Sequence, residues 1–528
     1  MKTQFFILLI SLLFTTLSQA SDLPAALVPL QEKLFQTSYK SVAKDFKTAH
    51  PEYKIPAEAK PPVFNPKLSR NEWLDLFIDT LVAQSSVPKD KVAVFKTSAI
   101  EMFTSYSRNV GFARVAFLSV ESERLAAAKG FGKAKSVKPT QLPESYPPNH
   151  TMDMVGYVNE RFSTILQDFV KSQKTPLYLH DSNCADAYAF QQSDGFSQAV
   201  RFMGARDNSN SQYFFAVNPK TTKFRFAVCD LRGQDDVTRI VALLGPIFYK
   251  AGATMVSHQV KAPIFVFNSK GRDFKVSPRE DRVVIGFQNT VWWEFYSANK
   301  EDWQRIILTD EGTDVSLIEN KRTGARIISV ENVYGDDIVE TLDLLYKKGF
   351  RRFVYMGTCG GLDPEFKIGD TLIPNRFLDK DDKIIEFKNS AREKYLVLPD
   401  AANIIRDTIQ GWVPTLAVET KDYMMTLQKK AQAIDVESLY FAKYFNSHEA
   451  LEQSFLAVVS DTPLGHMTYE QENATRGIPL KSIKKLVPQI FVTKVDKAED
   501  AKRAVASKKV TTEPPVIWLG PDLYEKSW

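Results

Sequence analysis

Three short stretches in the second half of the chain carry residue types that could do chemistry together. The first is Gly357-Thr358-Cys359-Gly360-Gly361. Its glycines let backbone N–H groups approach a ligand that a Cβ would hold away, and Thr358 offers a hydroxyl to a sugar or an anion. The second is Asp435-Val436-Glu437-Ser438, where a strand-like run meets a helix-like one with Glu437 at the junction. An acid there also complements a helix dipole, so Glu437 has a structural reading beside a functional one. The third, Ser460-Asp461, ends the apolar run that begins at Phe455, a pair that elsewhere caps helices or makes turns.

The elements that must position these residues read as an α/β sheet. Strand-like runs at 263–267, 282–285 and 325–330 lead into a helix-like run at 337–348, which Gly349 ends. A compact strand, 352–356, then enters the glycine turn. In sheets of this grammar, ligands bind at the C-terminal ends of strands.

Upstream, residues 21 to about 135 read as helical in three apolar groups: Leu27, Leu30 and Leu34; Trp73, Leu74, Leu76, Phe77 and Leu81; Val115, Phe117, Leu118 and Val120. A proline-rich stretch, 51–66, divides them, and a second, 139–148, reads as a linker. From about 150 to 260, β-rich runs at 176–180, 212–217 and 223–228 alternate with helical ones such as 236–244, a mixed α/β module. His180-Asp181 reads as a strand-end turn pair.

The chain opens Met1-Lys2, continues through an apolar core at 5–14 and reaches the small-residue end Gln19-Ala20, the pattern of a secretory signal cut after Ala20. That core is half the roughly 20 residues a bilayer span needs, and no later stretch is long enough, so no stable membrane insertion is expected. The expected location is periplasmic or secreted. With 68 basic and 63 acidic residues interspersed, a net charge of +5 argues against a dedicated nucleic-acid binder. The lysines around 481–485 read as a solvated helix face. Of three cysteines, Cys184 and Cys229 are the natural pair in an oxidising compartment, because Cys359 sits inside the glycine stretch. No CxxC, HExxH or Cys/His cluster supports a zinc site.

From Tyr334-Gly335 through Gly349, Gly357-Thr358-Cys359-Gly360-Gly361-Leu362 and Gly369-Asp370-Thr371-Leu372-Ile373-Pro374, the sequence resembles the nucleoside phosphorylase and nucleosidase superfamily. That superfamily includes purine and uridine phosphorylases and methylthioadenosine/S-adenosylhomocysteine nucleosidases. The resemblance implies a mixed-sheet α/β sandwich in the C-terminal half, with a helical plus α/β extension before it. It also implies that Glu437 holds ribose hydroxyls, with Val436 standing where methionine is usual, and that Asp461, beside Ser460, faces the purine. Tyr423 lies about where family members set an aromatic residue against the base. Thr358 and Gly360 belong to the binding loop. His466 reads as a surface histidine.

Cleaving an N-glycosidic bond builds positive charge on the sugar and negative charge on the leaving base. Asp461 is the expected general acid, which requires a carboxyl pKa raised by burial or a neighbouring acid. Phosphorylases of the family carry an arginine two residues before the glycine turn, and here that position is Tyr355. A phenol cannot imitate the bidentate fork of guanidinium on phosphate, nor is there an early Gly-x-Pro-Gly-Arg element. Water is therefore the favoured nucleophile, oriented by a carboxylate among Glu294, Asp310, Glu311 and Glu331.

The expected function is an exported nucleosidase acting on a purine or thio-purine nucleoside. A non-catalytic nucleoside-binding or storage-like protein and a phosphate-dependent phosphorylase are the alternatives. The resemblance implies no organic cofactor or metal. Homo-oligomers are common in the family, but the long N-terminal extension leaves oligomeric state open. The expected divisions are a signal peptide (1–20), a helical region (21–150), a mixed α/β module (151–260), the nucleosidase-like domain (261–475) and a basic extension (476–528).

Overall fold

Apolar residues at helical intervals build two helices, α1 (Val28–Ala49) and α2 (Arg70–Gln84). The first carries proline in its opening turn, where a missing N–H breaks no helix bond. The second starts from a capping box in which Ser69 Oγ accepts from the Glu72 N–H and the Glu72 carboxylate accepts from the Ser69 N–H. Phe35, Tyr39, Trp73 and Phe77 close the gap between them edge-on. The computed structural model describes residues 23–56, 59–97, 115–128, 134–203, 211–258, 279–286, 301–308, 315–330, 333–391, 403–465 and 477–490. The signal segment, the strand expected at 263–267, Glu294, Asp310, Glu311, Glu331, His466 and the last residues of the basic extension lie outside them.

A first sheet follows, made of β1 (Phe117–Val120), β2 (Ala134–Thr140), β3 (Leu177–His180), β4 (Gln198–Met203), β5 (Gln212–Asn218), β6 (Lys223–Cys229) and β7 (Ala253–His258). Their order is β1-β4-β5-β6-β3-β7-β2. Two expectations are corrected here. The group at 115–120, expected as helix, is the strand β1, paired antiparallel with β4. Its outer edge is satisfied by α1: Gln31 exchanges two hydrogen bonds with Leu118, and Ser38 Oγ accepts from the Ala116 N–H. Side chains of a helix remote in sequence thus blunt an edge that local periodicity could not reveal. The stretch expected as a linker begins inside β2, an edge strand that tolerates Pro139 because a ladder hydrogen bond is dispensable there.

Helices α3 (Ser122–Ala127), α4 (Met154–Arg161), α5 (Thr164–Ser172), α6 (Cys184–Ser193) and α7 (Gly233–Phe248) cover this sheet. Phe162, Phe226 and Phe248 fill the core between sheet and helices. A disulfide joins Cys184, at the start of α6, to Cys229, at the end of β6.

The second sheet contains β8 (Val283–Ile285), β9 (Trp303–Ile307), β10 (Val315–Asn320), β11 (Arg326–Val330), β12 (Arg352–Gly361), β13 (Thr371–Ile373), β14 (Arg376–Leu378), β15 (Ile384–Glu386), β16 (Ile404–Arg406), β17 (Ile409–Trp412), β18 (Ala433–Asp435) and β19 (Glu452–Asp461). Its main path is β15-β14-β17-β18-β12-β8-β11-β10-β9, and β19 lies between β12 and β13, which in turn pairs β16. Parallel and antiparallel pairs are mixed, as the resemblance implies. Helices α8 (Asp337–Lys347), α9 (Lys421–Gln428), α10 (Ser438–Ser447) and α11 (Gly477–Ile490) pack on it. In α8, Ile338, Leu342 and Leu345 form the buried stripe, and Gly349 follows at φ +94°. In α11, Ile483 and Leu486 are buried while Lys481, Lys484 and Lys485 face out.

The central parallel strands are aligned at their N-terminal ends by a dry ion triad. Arg282 before β8 and Arg352 at the start of β12 both reach Glu452 Oε2 at the start of β19, at 3.0 and 3.4 Å. Among the described residues no helix is long and apolar enough to cross a membrane.

Candidate functional site

The strand β12 is the hub that gathers the three chemistry-bearing stretches. Over its first half it pairs with β8, and over its last residues that place is taken by the antiparallel β18, Gly360 facing Ile434. Along its other edge runs β19, parallel, until a register shift sets Gly360 opposite Asp461. One glycine therefore stands between the strand that leads into Glu437 and the strand that ends in Asp461.

The glycine stretch is strand, not turn, which corrects the sequence reading. None of Gly357, Gly360 and Gly361 has positive φ. What requires glycine is side-chain packing: a Cβ on Gly360 would meet Pro463 at 2.9 Å, and one on Gly357 would meet the Tyr355 ring at 2.5 Å. Thr358 is the one exposed residue of the strand, so its hydroxyl side faces outward from an otherwise closed surface.

Glu437 precedes α10 and makes no cap bond to that helix. Its carboxylate turns inward instead. Oε1 accepts from the Gly335 N–H at 3.0 Å and Oε2 from the Tyr355 hydroxyl at 3.0 Å. The helix is capped by Asp435, whose Oδ1 accepts from the Ser438 N–H at 3.0 Å, while Oδ2 is buried without a partner among the described residues.

Two carboxyls thus share one dry place. Burial raises both; the Glu437 charge raises Asp435 further, while the Gly335 N–H and the Tyr355 hydroxyl pull Glu437 back down. Asp435 is thus the more strongly raised of the two. Burial and the Glu437 charge hold the Tyr355 phenol protonated, as its role of donor demands.

Asp461 is partly exposed at the end of β19, and the Ser460 hydroxyl lies 2.7 Å from its Oδ1 and 3.2 Å from the Cys359 carbonyl. The buried Cys359 thiol is pushed well up by burial and by Asp435 and Asp461. Val436 and Tyr423 share a small apolar cluster with Leu362, Met424 and Leu464, the last three residues after Asp461. Tyr423 is half-buried on α9, its N–H capped by Thr420 Oγ1.

No family model matches the chain, and no curated protein matches it. Solved structures similar to it include methylthioadenosine/S-adenosylhomocysteine nucleosidases and a futalosine hydrolase. The 5′-methylthioadenosine/S-adenosylhomocysteine nucleosidase of Neisseria meningitidis, in complex with methylthio-immucillin-A, is 16% identical with a TM-score of 0.31, over 41% of this chain and 99% of that one. Futalosine hydrolase of Helicobacter pylori strain 26695 is 14% identical, TM-score 0.31, over 41% and 98%. The Campylobacter jejuni 5′-methylthioadenosine/S-adenosyl homocysteine nucleosidase is 13% identical, TM-score 0.31, over 41% and 99%. At these identities and scores the likeness carries no substrate and no residue role.

Sequence reasoning noticed Tyr355 only as a missing arginine; its bond to Glu437 appears only in three dimensions. Asp435 gave one signal, an acid two residues before Glu437 on a strand whose register turns it inward. Asp235 and Asp336, which border the same place, gave none. Burial and Asp336 raise Asp235 to about 7, against the Tyr440 hydroxyl and the Asp336 N–H, which lower it.

Proposed function

We propose that the chain is an exported N-ribosyl hydrolase that cleaves the glycosidic bond of a purine or thio-purine nucleoside. The observation that carries this reading is the convergence on Gly360 of the strands bearing Thr358, Glu437 and Asp461. In this reading Glu437, charged and held by two donors, accepts the ribose hydroxyls with its remaining lone pairs and fixes the sugar. Asp461 protonates the departing base, and Ser460 orients its carboxyl. Thr358 presents its hydroxyl at the open side of β12, and Tyr423 with Val436 forms the apolar wall for the base. Tyr355 occupies the place of a phosphate-gripping arginine and is already engaged with Glu437, which supports water as nucleophile. Export is supported by the signal-like opening and by the Cys184–Cys229 disulfide, a bond that persists in oxidising compartments.

A nucleoside-binding protein without turnover is the second reading. It is favoured by one observation: both oxygens of Glu437 already have protein donors. The deciding experiment is release of free base from purine nucleosides and methylthioadenosine, with and without phosphate, by the mature protein and its Asp461→Asn variant. Phosphate-independent release lost in the variant is the expected result. Folded protein that is stabilised by nucleoside yet releases no base would replace hydrolysis with binding.

A further inference from the structure

The α7 helix of the first sheet receives no side-chain cap from Arg232, the residue before it. Its cap comes from the other half of the molecule. Asp336, just before α8, accepts from the Gln234 N–H through Oδ2 at 2.9 Å and from the Asp235 N–H through Oδ1 at 3.2 Å, residues about a hundred positions away. Asp336 is the residue next to Gly335, whose N–H holds Glu437.

The contact continues on both sides of that point. Gly335 sits at φ +55° so tightly against Asp235 that a Cβ would meet the Asp235 Cβ at 2.5 Å. The Arg239 guanidinium lies 4.9 Å from the ring centre of Tyr334, and the Tyr334 hydroxyl bonds to Thr415. Thr415 begins the loop that precedes α9, and this loop is gripped too. His150 Nε2 lies 2.9 Å from the Leu416 carbonyl, the Thr151 N–H donates to the Glu419 carbonyl at 2.9 Å, and the Lys421 N–H donates to the Asn149 carbonyl at 2.7 Å. The turn that holds Glu437 and the loop before α9 are therefore both fastened to the first α/β module.

We propose that the first α/β module is the clamp of the nucleoside site, with Asp336 as its positioning residue: by capping α7 it fixes the Tyr334–Gly335 turn that presents the Gly335 N–H to Glu437. The inference rests on Glu437 as the group that holds the ribose. Its physical basis is that a helix N-terminus with unsatisfied N–H groups binds a carboxylate with charge assistance, so the turn carrying Asp336 is held in one geometry. Glu437 then meets its ligand already oriented, and the ordering cost of the loop is not charged against affinity.

The test uses the full mature chain with Asp336→Ala and Asp336→Asn, the second keeping one acceptor oxygen. Two quantities are read: the dissociation constant for methylthioadenosine by calorimetry, and amide hydrogen exchange of the peptide that contains Gly335. The expected result is a loss of affinity of tenfold or more in Asp336→Ala, a smaller loss in Asp336→Asn, and faster exchange at Gly335 in the same order. Variants that are folded, bind like the wild type and keep Gly335 protected overturn the proposal. Lower thermal stability with unchanged affinity and unchanged Gly335 exchange also overturns it, since a purely structural cap would behave so. If the wild type binds no nucleoside, the functional reading fails, and exchange at Gly335 still decides whether the clamp exists. Should Asp336→Ala not fold, Asp336→Asn supplies both readouts.

Discussion

Replacing Tyr355 with phenylalanine isolates one hydrogen bond in the candidate site. The ring is stacked on Phe455 at 4.7 Å between centroids with the planes 6° apart, and phenylalanine keeps that packing. What disappears is the 3.0 Å bond from the phenol to Glu437 Oε2. A buried hydrogen bond to a charged group contributes about 1.5–3 kcal/mol. Its loss raises the pKa of Glu437 further above the elevation that burial already imposes, because the Tyr355 hydroxyl is one of the donors that lower it.

The direction of the pH effect follows from what Glu437 must do. It accepts ribose hydroxyls as a carboxylate, so affinity falls as pH drops through its pKa, and raising that pKa moves the fall to higher pH. Calorimetric titration with methylthioadenosine from pH 5 to 9 should show the acid limb of Tyr355→Phe displaced to higher pH, with affinity on that limb weakened about tenfold or more, as that bond energy implies. Superimposable profiles for two folded proteins would refute the reasoning, because Tyr355 would then not be what keeps Glu437 charged.

Glu452→Gln removes the carboxylate that both Arg282 and Arg352 reach in a dry interior, so it should cost about 3–5 kcal/mol of unfolding free energy in a denaturant titration; a loss below about 1 kcal/mol would show that the triad relaxes. Asp235 has a folded pKa of about 7 against an ordinary 3.8, so the folded state keeps a proton that the unfolded state releases. Wild-type stability therefore falls as pH rises from about 4 to about 7, by up to a few kcal/mol, and Asp235→Asn should gain on the wild type across that window and then run parallel. Melting curves at intervals from pH 4.5 to 8.5 measure this, and a constant gap would contradict it. Reducing the Cys184–Cys229 bond, which spans 45 residues of sequence, should lower stability by about 2–4 kcal/mol, read by unfolding with and without dithiothreitol.

The sequence by itself named the candidate residues and determined most of the local elements that carry them. Apolar runs ending in Gly349, Glu437 or Asp461 are statements about neighbouring residues, and neighbours along the chain are what periodicity and caps record. It also pointed to Cys184 and Cys229 as the natural pair, because Cys359 sits inside the glycine stretch, and the structure joins them.

Tertiary structure alone decided where strands continue and what each polar group meets. The glycine stretch reads as a turn until β18 and β19 pair along it, and the group at 115–120 reads as helix until β4 and the side chains of α1 satisfy its backbone. The clamp on Gly335 joins residues about a hundred positions apart. No local pattern encodes such a contact, since an uncapped helix end and a lone aspartate are each unremarkable until folding places one against the other.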